Sequence, residues 1–405
     1  DGGDRVIAYS GGYEVWLVEG DNTVHYRKPR GDISTRHAKA FWVNNDTILW
    51  PRVSTEGNFR LYYNGDGGIT ANDQIANATG YFVLNKIASD TLSQEIRDRY
   101  AYIGQNYVIL RLPNIGILEI KRLMRTQLVL ARTDSDGMLA DATTPQIAGV
   151  LDNLYASAAE NIPFGVTLQN GAPSFKVWAP TALNVSLCIY DQGNTGSASL
   201  LRPLGFDDST GTWSILGAES WSGKYYRYLV DVVRRENGAL VRNVVTEPYS
   251  ATLSANSQRT WIGDLNSANT KPANWDSHAG PTIAAPEDLS IYEMHVRDFS
   301  ANDASVSTAH KGKYKAFTES NSDGMRHLKA LADAGLTLLH LLPVNDIATV
   351  SETACESPVI PDAAADSELQ QAAVNAVRDD DCFNWGYDPL HYNAPEGSYA
   401  TDASD

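Results

Sequence analysis

Short segments of alternating apolar and polar residues dominate the chain between about residues 30 and 280. Gly, Asn, Asp and Pro separate these segments. Alternation with a period of two is typical of strands that bury one face, and the intervening residues favour turns. We therefore predict antiparallel β-sheet units, with strands at 40–43, 47–51, 59–64, 174–178, 185–190, 212–215, 224–232 and 246–250.

Three segments within residues 30–160 have the character of helices instead: one carries mixed charge, one has helical periodicity and one has a proline near its start. We predict helices at 92–100, 117–124 and 144–154, the last with Pro145 in its first turn, where a missing N–H costs nothing. In the following unit we expect Trp178 to face the core of a β-sandwich and Cys188 to be a buried strand residue.

The pattern changes near residue 289. A mostly apolar strand is predicted at 289–296, a helix at 324–334 with Gly335 as its cap, and a second apolar strand at 336–344. Continuous apolar strands connected through a helix indicate a βαβ unit of a parallel sheet that is covered on both faces.

A short run near the carboxyl end has a composition unlike that of a core segment. Asn384-Trp385-Gly386-Tyr387-Asp388-Pro389 combines two large aromatic residues, a glycine and a carboxylate. Glycine and proline indicate a loop, and exposed aromatic rings on a loop favour ligand contact. The sequence therefore predicts a binding site here.

Composition and charge narrow the class of ligand. The formal charge of -17 disfavours nucleic acid, since its phosphates would be repelled. The chain has 9 Trp, 20 Tyr and 9 Phe, and such rings stack on the apolar faces of sugars. No apolar run is long enough for a membrane span. The first residues lack the regions of a signal peptide, so we expect that such a segment was removed or that the chain begins inside a domain.

The three cysteines match no zinc or redox spacing. Cys355 and Cys382 flank an acidic, alanine-rich stretch that we interpret as a surface insertion. We hypothesise that a disulfide joins them, with a stabilisation of about 3 kcal/mol from loop closure.

The Asn384–Pro389 run, with the Leu-His-Tyr-Asn-Ala-Pro-Glu-Gly-Ser-Tyr that follows it, resembles the signature loop of bacterial pullulanases and limit dextrinases. These form the debranching branch of the α-amylase family, glycoside hydrolase family 13. Other segments resemble further parts of such enzymes. The segment around Glu14-Val15-Trp16 resembles the end of a family 41 starch-binding module, and Phe-x-Val-Trp-Ala-Pro with Tyr-Tyr-Arg-Tyr-x-Val resembles a family 48 module. The segments Tyr-Glu-Met-His-Val-Arg-Asp-Phe and Leu-Leu-Pro-Val resemble the first two strands of a (β/α)8 barrel.

The resemblance implies a multidomain fold of β-sandwich modules followed by the start of an α/β TIM barrel that is incomplete in this chain. The implied units are a remnant of a starch-binding module at 1–29, an intermediate N-terminal domain at 30–160, a family 48 carbohydrate-binding module at 161–280 and the first part of the barrel at 281–405.

The implied activity is the retaining hydrolysis of α-1,6-glucosidic links in pullulan, starch and limit dextrins. In the family an aspartate, a glutamate and a supporting aspartate follow the fourth, fifth and seventh barrel strands, so we expect no catalytic residue in this chain. The resemblance instead assigns substrate contacts. Tyr387 would stack beneath a glucose, and Trp385 and Asn384 would shape the same wall. Asp388 would bond a sugar hydroxyl, pair with an arginine from the remainder of the barrel, or cap its own turn.

His295, Arg297 and Asp298 follow the first barrel strand, where we expect them to support the site. No cofactor is required for the chemistry. Structural calcium fits oxygen-bearing residues such as Asp346, Asp388 and Glu396, but no calcium-loop spacing occurs, so the metal ligands stay unassigned.

The expected partners are an α-glucan and the remainder of the barrel, without nucleic acid or a membrane span, and the expected location is outside a bacterium, secreted or at the cell surface. Two alternatives stay open. One is an isoamylase or glycogen-debranching hydrolase, and the other is a non-catalytic α-glucan-binding fragment.

Overall fold

The structure is a computed structural model that describes residues 14–16, 25–27, 32–104 and 106–404. Near the amino end, β1 (Glu14–Trp16) pairs antiparallel with β2 (His25–Arg27). The alternation of the first residues predicts two strands, at 5–9 and 13–18, joined by Gly11 and Gly12. β1 lies within the second, whereas the first lies outside the described residues.

The first large unit is built on an eight-stranded sheet with the order β11-β10-β5-β8-β9-β4-β3-β12. At every second position along the strands, large apolar side chains such as Trp42, Phe59 and Leu61 point to one face of the sheet. Together with α2 they form the core of this unit. The elements are β3 (Ala40–Trp42), β4 (Thr47–Pro51), β5 (Asn58–Asn64), β6 (Thr70–Ala71), β7 (Ile75–Ala76), β8 (Gly80–Ile87), α1 (Gln94–Arg99), β9 (Tyr107–Arg111), α2 (Ile117–Leu123), β10 (Gln127–Thr133), β11 (Leu139–Thr143), β12 (Pro145–Gln146) and α3 (Ala148–Ala159).

One predicted helix start in this unit is wrong. Pro145–Gln146 does not open a helix but pairs in parallel with β3 at the sheet edge, and α3 begins only at Ala148. Thr144 donates its hydroxyl to the Thr35 carbonyl at 2.7 Å, which holds this segment extended along a neighbouring chain. An edge strand tolerates proline because one side of it needs no N–H donor.

The second unit is a sandwich of two antiparallel sheets, β13-β14-β18-β17 and β16-β15-β19-β20, with β21 added beside β19. Phe175, Leu187, Tyr226 and Tyr228 fill the space between the sheets. Its strands are β13 (Gly165–Gln169), β14 (Ala172–Trp178), β15 (Asn184–Tyr190), β16 (Leu200–Pro203), β17 (Gly205–Asp207), β18 (Thr212–Leu216), β19 (Tyr225–Val233), β20 (Leu240–Val245) and β21 (Thr260–Trp261).

Two expectations for the sandwich are corrected. No strand forms at 246–250, where one is predicted. The strand β20 ends at Val245, and Pro248 lies in a turn. Trp178 faces away from the core, because its strand neighbours Phe175 and Val177 take the inner positions. Its indole N–H instead bonds the Thr210 carbonyl, and its ring packs edge-on against a tyrosine of α3. Cys188 is buried in its strand as predicted.

The third unit contains the predicted βαβ arrangement. β22 (Ile291–Met294) and β23 (Leu338–Leu341) pair in parallel, and α5 (Asp323–Asp333) connects them, with the Ser322 hydroxyl accepting from the Met325 N–H as its cap. The remaining elements are α4 (Val296–Ser300), β24 (Asn345–Ile347), α6 (Leu369–Val377) and β25 (Pro389–Pro395), which pairs antiparallel with β24.

Ten short 3-10 helices lie between these elements in the described part of the chain: Ser89–Thr91, Ala101–Ile103, Glu219–Trp221, Ala255–Ser257, Ala268–Thr270, Trp275–Ser277, Pro286–Asp288, Thr308–His310, Tyr314–Thr318 and Gly397–Tyr399. Within the described residues, no helix combines the length and apolar character that a membrane crossing needs.

Candidate functional site

The Asn384–Pro389 run forms a loop that leads directly into β25. Its two aromatic residues point outward: the side chain of Tyr387 is 72% exposed and that of Trp385 is 58% exposed. Although Trp385 packs edge-on against Phe383, most of the surface of both rings faces solvent, so the rings are available for a ligand.

Polar bonds within the loop hold these rings in position. The Asn384 carboxamide oxygen accepts the Gly386 N–H at 2.7 Å, and its NH2 donates to the Thr349 hydroxyl at 3.0 Å. Thr349 in turn donates to the Asp388 carboxylate at 2.6 Å. Asn384 and Asp388 therefore brace the loop, and both do so through the Thr349 hydroxyl.

Position 386 requires glycine for two reasons, its backbone conformation and the lack of space for a Cβ atom. Its φ of +84° lies in the left-handed region that favours glycine, and a Cβ there would lie 2.6 Å from the Pro343 carbonyl oxygen. The loop consequently packs backbone against backbone on the segment that follows β23.

His295 anchors the loop from beneath. It is buried at the end of β22, and its Nδ1 accepts the N–H groups of Arg297 and Asp298 as the cap of α4. This assigns the proton to Nε2, which donates to the Asn384 carbonyl at 2.8 Å and lies 3.1 Å from the Tyr399 hydroxyl. The predicted supporting role thus has a specific contact for His295.

Arg297 and Asp298 lie on α4 and face another direction. The Arg297 guanidinium donates to the Ser357 hydroxyl at 3.1 Å and lies 3.3 Å from Asp298. Arg297 therefore contacts the acidic insertion, while Asp298 pairs with Arg297.

The hypothesised disulfide between Cys355 and Cys382 is present. Backbone bonds reinforce it, since the Cys382 N–H donates to the Glu356 carbonyl and the Glu356 N–H to the Asp380 carbonyl. Because Cys382 precedes Asn384 by two residues, the disulfide fixes the chain just where the loop begins.

Three carboxylates, those of Asp346, Glu352 and Glu396, converge behind the loop with oxygen atoms within 4.8 Å of one another. Burial raises the pKa of both Glu352 and Glu396. All-oxygen ligand sets suit Ca²⁺, although these oxygens already accept N–H and hydroxyl groups, including the Ile347 N–H at Glu396.

The sequence did not single out Glu352, and it placed Asp388 in a possible ligand set that the structure does not form. Glu352 comes from the stretch after β24, where its carboxylate accepts the N–H groups of Gly397 and Asn256. No spacing rule relates positions 346, 352 and 396, so folding alone brings them together.

The arrangement supports binding rather than chemistry. The loop offers two exposed rings, while the polar groups beneath it are committed to one another. Aromatic rings held rigidly on a loop can stack on a sugar and fix its position with little loss of conformational entropy.

Two family models match the β-sheet units. The Pullulanase N2 domain matches residues 37–153, and Carbohydrate-binding module 48 (Isoamylase N-terminal domain) matches residues 163–250. The chain is therefore of a modular class in which a Pullulanase N2 domain precedes a Carbohydrate-binding module 48 domain.

Curated relatives make the assignment more specific. The chain is 34% identical to a pullulanase of Klebsiella pneumoniae over 96% of its own length and 39% of the relative's. It is also 34% identical to Pullulanase 1, chloroplastic, of Arabidopsis thaliana, over 90% of this chain and 38% of that protein. The chain belongs to the pullulanase family, and it spans about two fifths of the length of these relatives.

Solved structures agree with this assignment. The crystal structure of a Klebsiella pneumoniae pullulanase complexed with maltotriose has a TM-score of 0.81 and 31% identity, with 96% of this chain and 40% of that chain covered. The apo pullulanase from the same organism also gives a TM-score of 0.81, with 32% identity over 92% of this chain and 44% of that one.

Proposed function

We propose that this chain is part of a debranching enzyme that hydrolyses α-1,6-glucosidic links in pullulan, starch and limit dextrins. The reaction would proceed with retention, through a glycosyl-enzyme intermediate on an aspartate. The catalytic carboxylates would lie outside residues 1–405. The observation that supports this proposal is the braced loop that presents Tyr387 and Trp385.

Tyr387 would contribute by stacking beneath the glucose unit just before the scissile bond. A retaining reaction passes through an oxocarbenium-like state with a distorted ring. A flat aromatic surface favours the apolar face of that ring without opposing its distortion, and Trp385 would form the adjacent wall.

The remainder of the barrel would be the structural partner of this chain. The strand residues Ile291, Tyr292, Leu338, Leu339 and Leu341 are exposed in the described part of the chain, although strands of parallel sheets are normally buried on both faces. Further barrel strands and helices would cover them and would bring the catalytic groups to the loop.

The alternative of an isoamylase or glycogen-debranching hydrolase is less well supported. Isoamylase 1, chloroplastic, of Arabidopsis thaliana is 22% identical over 62% of this chain, compared with 34% over 96% and 90% for the two pullulanases. A non-catalytic α-glucan-binding protein would share the binding features but would not hydrolyse pullulan, so activity separates it from our proposal.

Structural Ca²⁺ is part of the proposal, without a part in the reaction. Asp346, Glu352 and Glu396 are the described residues with suitable ligand atoms. The family resemblance also leads us to propose that the enzyme is secreted or displayed on a bacterial surface, with an α-glucan as its ligand.

The proposed function is tested by replacing Tyr387 in the enzyme that contains the complete barrel. Tyr387→Ala should lower kcat/KM for pullulan about tenfold or more, since the stacking contact strengthens as the ring distorts. Tyr387→Phe should retain most of the activity, because the ring is kept.

Tyr392→Ala is the matched control, since the side chain of Tyr392 on β25 is also 72% exposed. Its kcat/KM should remain near that of the unmodified enzyme. Full activity in Tyr387→Ala would remove Tyr387 from the site, and an unmodified enzyme that does not hydrolyse pullulan would overturn the proposed function.

A further inference from the structure

The face of the eight-stranded sheet opposite its main core is covered at both ends but open in the middle. At one end Ile75 and Ala71 pack over Val129 of β10. At the other end Ile96 of α1 packs near Ile109 of β9. The strands β5 and β8 lie between these covers.

Four side chains occupy this open area, and we name them the tyrosine platform: Arg60 and Tyr62 on β5, and Tyr81 and Val83 on β8. The register places Tyr62 directly opposite Tyr81, and Arg60 opposite Val83. All four therefore point to one face, while their strand neighbours Phe59, Leu61 and Leu84 fill the core on the other face.

The platform is ordered by its own contacts. The Tyr62 and Tyr81 rings lie 5.3 Å apart and are tilted by 47°. The Arg60 guanidinium lies 4.6 Å from the centre of the Tyr81 ring and 3.4 Å from the Tyr62 hydroxyl. Arg60 thus supports both rings at once, through a cation–π contact and a hydrogen bond.

Two members of the platform, Tyr81 and Val83, nevertheless remain open to solvent, while Tyr62 is partly buried against the cluster that contains Val129. Tyr81 is 49% exposed and Val83 is 54% exposed. A tyrosine and a valine side by side on a strand that faces water gain little for folding from this exposed surface. Asn85, on the same face of β8, adds an exposed carboxamide that can bond hydroxyl groups.

The electrostatics favour a neutral ligand. Arg60 is engaged by the two tyrosines, and Arg111, which is paired with Asn85 across β8 and β9, lies 3.3 Å from Asp46. The chain as a whole has a formal charge of -17, which repels anionic polymers. A neutral polyhydroxyl chain needs no free cationic group and is not repelled by the negative charge of the protein.

The tilt of the rings distinguishes among such chains. Two rings at 47° form an angled surface, and an α-1,4-linked glucan is a curved chain that presents successive apolar sugar faces at an angle. A β-1,4-linked glucan is flat and suits coplanar rings instead.

We propose that the tyrosine platform is an α-glucan-binding surface, separate from the Tyr387 loop. It would hold a neighbouring stretch of the same polymer and so raise its local concentration at the barrel. The inference rests on the proposed function for the identity of the polymer, while the platform itself lies in the domain matched to Pullulanase N2.

The test is affinity electrophoresis of the 405-residue chain in gels that contain amylose or, as a comparison, hydroxyethyl cellulose. We expect retardation by amylose alone. Tyr81→Ala should raise the amylose concentration for half-maximal retardation about two- to tenfold, as the loss of one stacked ring predicts. Tyr81→Phe should behave like the unmodified chain, because the ring and not the hydroxyl makes the contact.

Tyr102→Ala is the matched control, since Tyr102 is another exposed tyrosine of the same domain, beside Phe41 and without a guanidinium over its ring in the described contacts. It should leave retardation unchanged. Circular dichroism spectra of all variants would show that each is folded.

Equal retardation of Tyr81→Ala and the unmodified chain would overturn the platform while leaving α-glucan binding intact elsewhere. An unmodified chain that amylose does not retard, in an enzyme that still hydrolyses pullulan, would overturn the platform alone. A self-association that Tyr81→Ala abolishes in sedimentation, without any change in retardation, would show that a second copy occupies this face.

Discussion

At the scale of single residues, the sandwich contains a buried carboxylic acid that no sequence pattern indicates. Glu247 is buried in the turn after β20, beside Tyr226, Tyr228 and Tyr249. Burial raises its pKa to about 7, while a hydrogen bond from the Tyr226 hydroxyl acts in the opposite direction. Among the described residues, its second oxygen and the Tyr228 hydroxyl have no partner.

This acid makes the stability of the sandwich depend on pH. The folded pKa of about 7 lies above the ordinary value of 4.5, so the folded state holds a proton that the unfolded state releases between these values. Stability from this group is complete below pH 4.5 and falls as the pH rises through 7, by about 3 kcal/mol in all. We expect Glu247→Gln to remove this slope, as measured by melting temperatures at about pH 5 and pH 8.

Glu219→Gln, at an exposed position of the same unit, is the control for loss of a carboxylate. It should keep the pH dependence of the unmodified chain. A slope that survives in Glu247→Gln would place the titrating group elsewhere.

At the scale of elements, the sequence predicted those whose local pattern and tertiary environment agree. Strands such as β4 and β5 and the β22–α5–β23 unit follow directly from their periodicity. The prediction of a helix that begins at 144–146 is wrong because proline suits both the first turn of a helix and an edge strand. The bond from Thr144 to Thr35 favours the extended strand, and it joins positions far apart in sequence. The prediction that Trp178 faces the core is wrong because alternation shows which residues share a face of the strand but not which face is buried.

The signature loop shows how far an element can be predicted. Its exposed rings and its turn follow from residue types, whereas its support by His295 depends on a contact between positions far apart in sequence. Gly386→Ala tests the fit of this element. The added Cβ would meet the Pro343 carbonyl at 2.6 Å in a left-handed conformation, so we expect a loss of about 1–3 kcal/mol in stability, measured by thermal unfolding.

Gly335→Ala provides the comparison for this change. Gly335 also has a positive φ, of +110°, but a Cβ there would meet no atom within 4 Å. Its cost should therefore be backbone strain alone and should be smaller. Equal costs at the two positions would show that the contact with Pro343 is unimportant.

At the scale of the whole molecule, buried polar bonds join the sandwich to the barrel segment. The Thr246 hydroxyl lies 2.7 Å from His391 Nε2, and His391 Nδ1 lies 2.6 Å from an Asp346 carboxylate oxygen. The Ser257 hydroxyl donates to the other Asp346 oxygen at 2.6 Å, so Asp346 is bonded to the sandwich side a second time. A second link pairs Asn256 with Glu352 through two backbone N–H groups.

None of these links could be predicted from the sequence. His391 belongs to the segment after the loop, and nothing in the sequence positions 246, 257, 346 and 391 indicates that these residues lie close together. Because buried polar groups must be paired, the two units can approach only in the orientation that satisfies all of these bonds. The links therefore fix the sandwich relative to the loop that begins at Asn384.

Thr246→Val tests this coupling, since valine keeps the shape but leaves the buried His391 Nε2 without its partner. We expect a loss of about 1–3 kcal/mol, because an unpaired buried nitrogen bears its full desolvation cost. Calorimetry should then show the sandwich and the barrel segment unfolding in separate transitions, where the unmodified chain shows one. Thr318→Val removes a hydroxyl from an exposed position of the barrel segment and should leave the single transition unchanged. Coupled unfolding that persists in Thr246→Val would mean that apolar contacts and the Asn256–Glu352 link alone hold the units together.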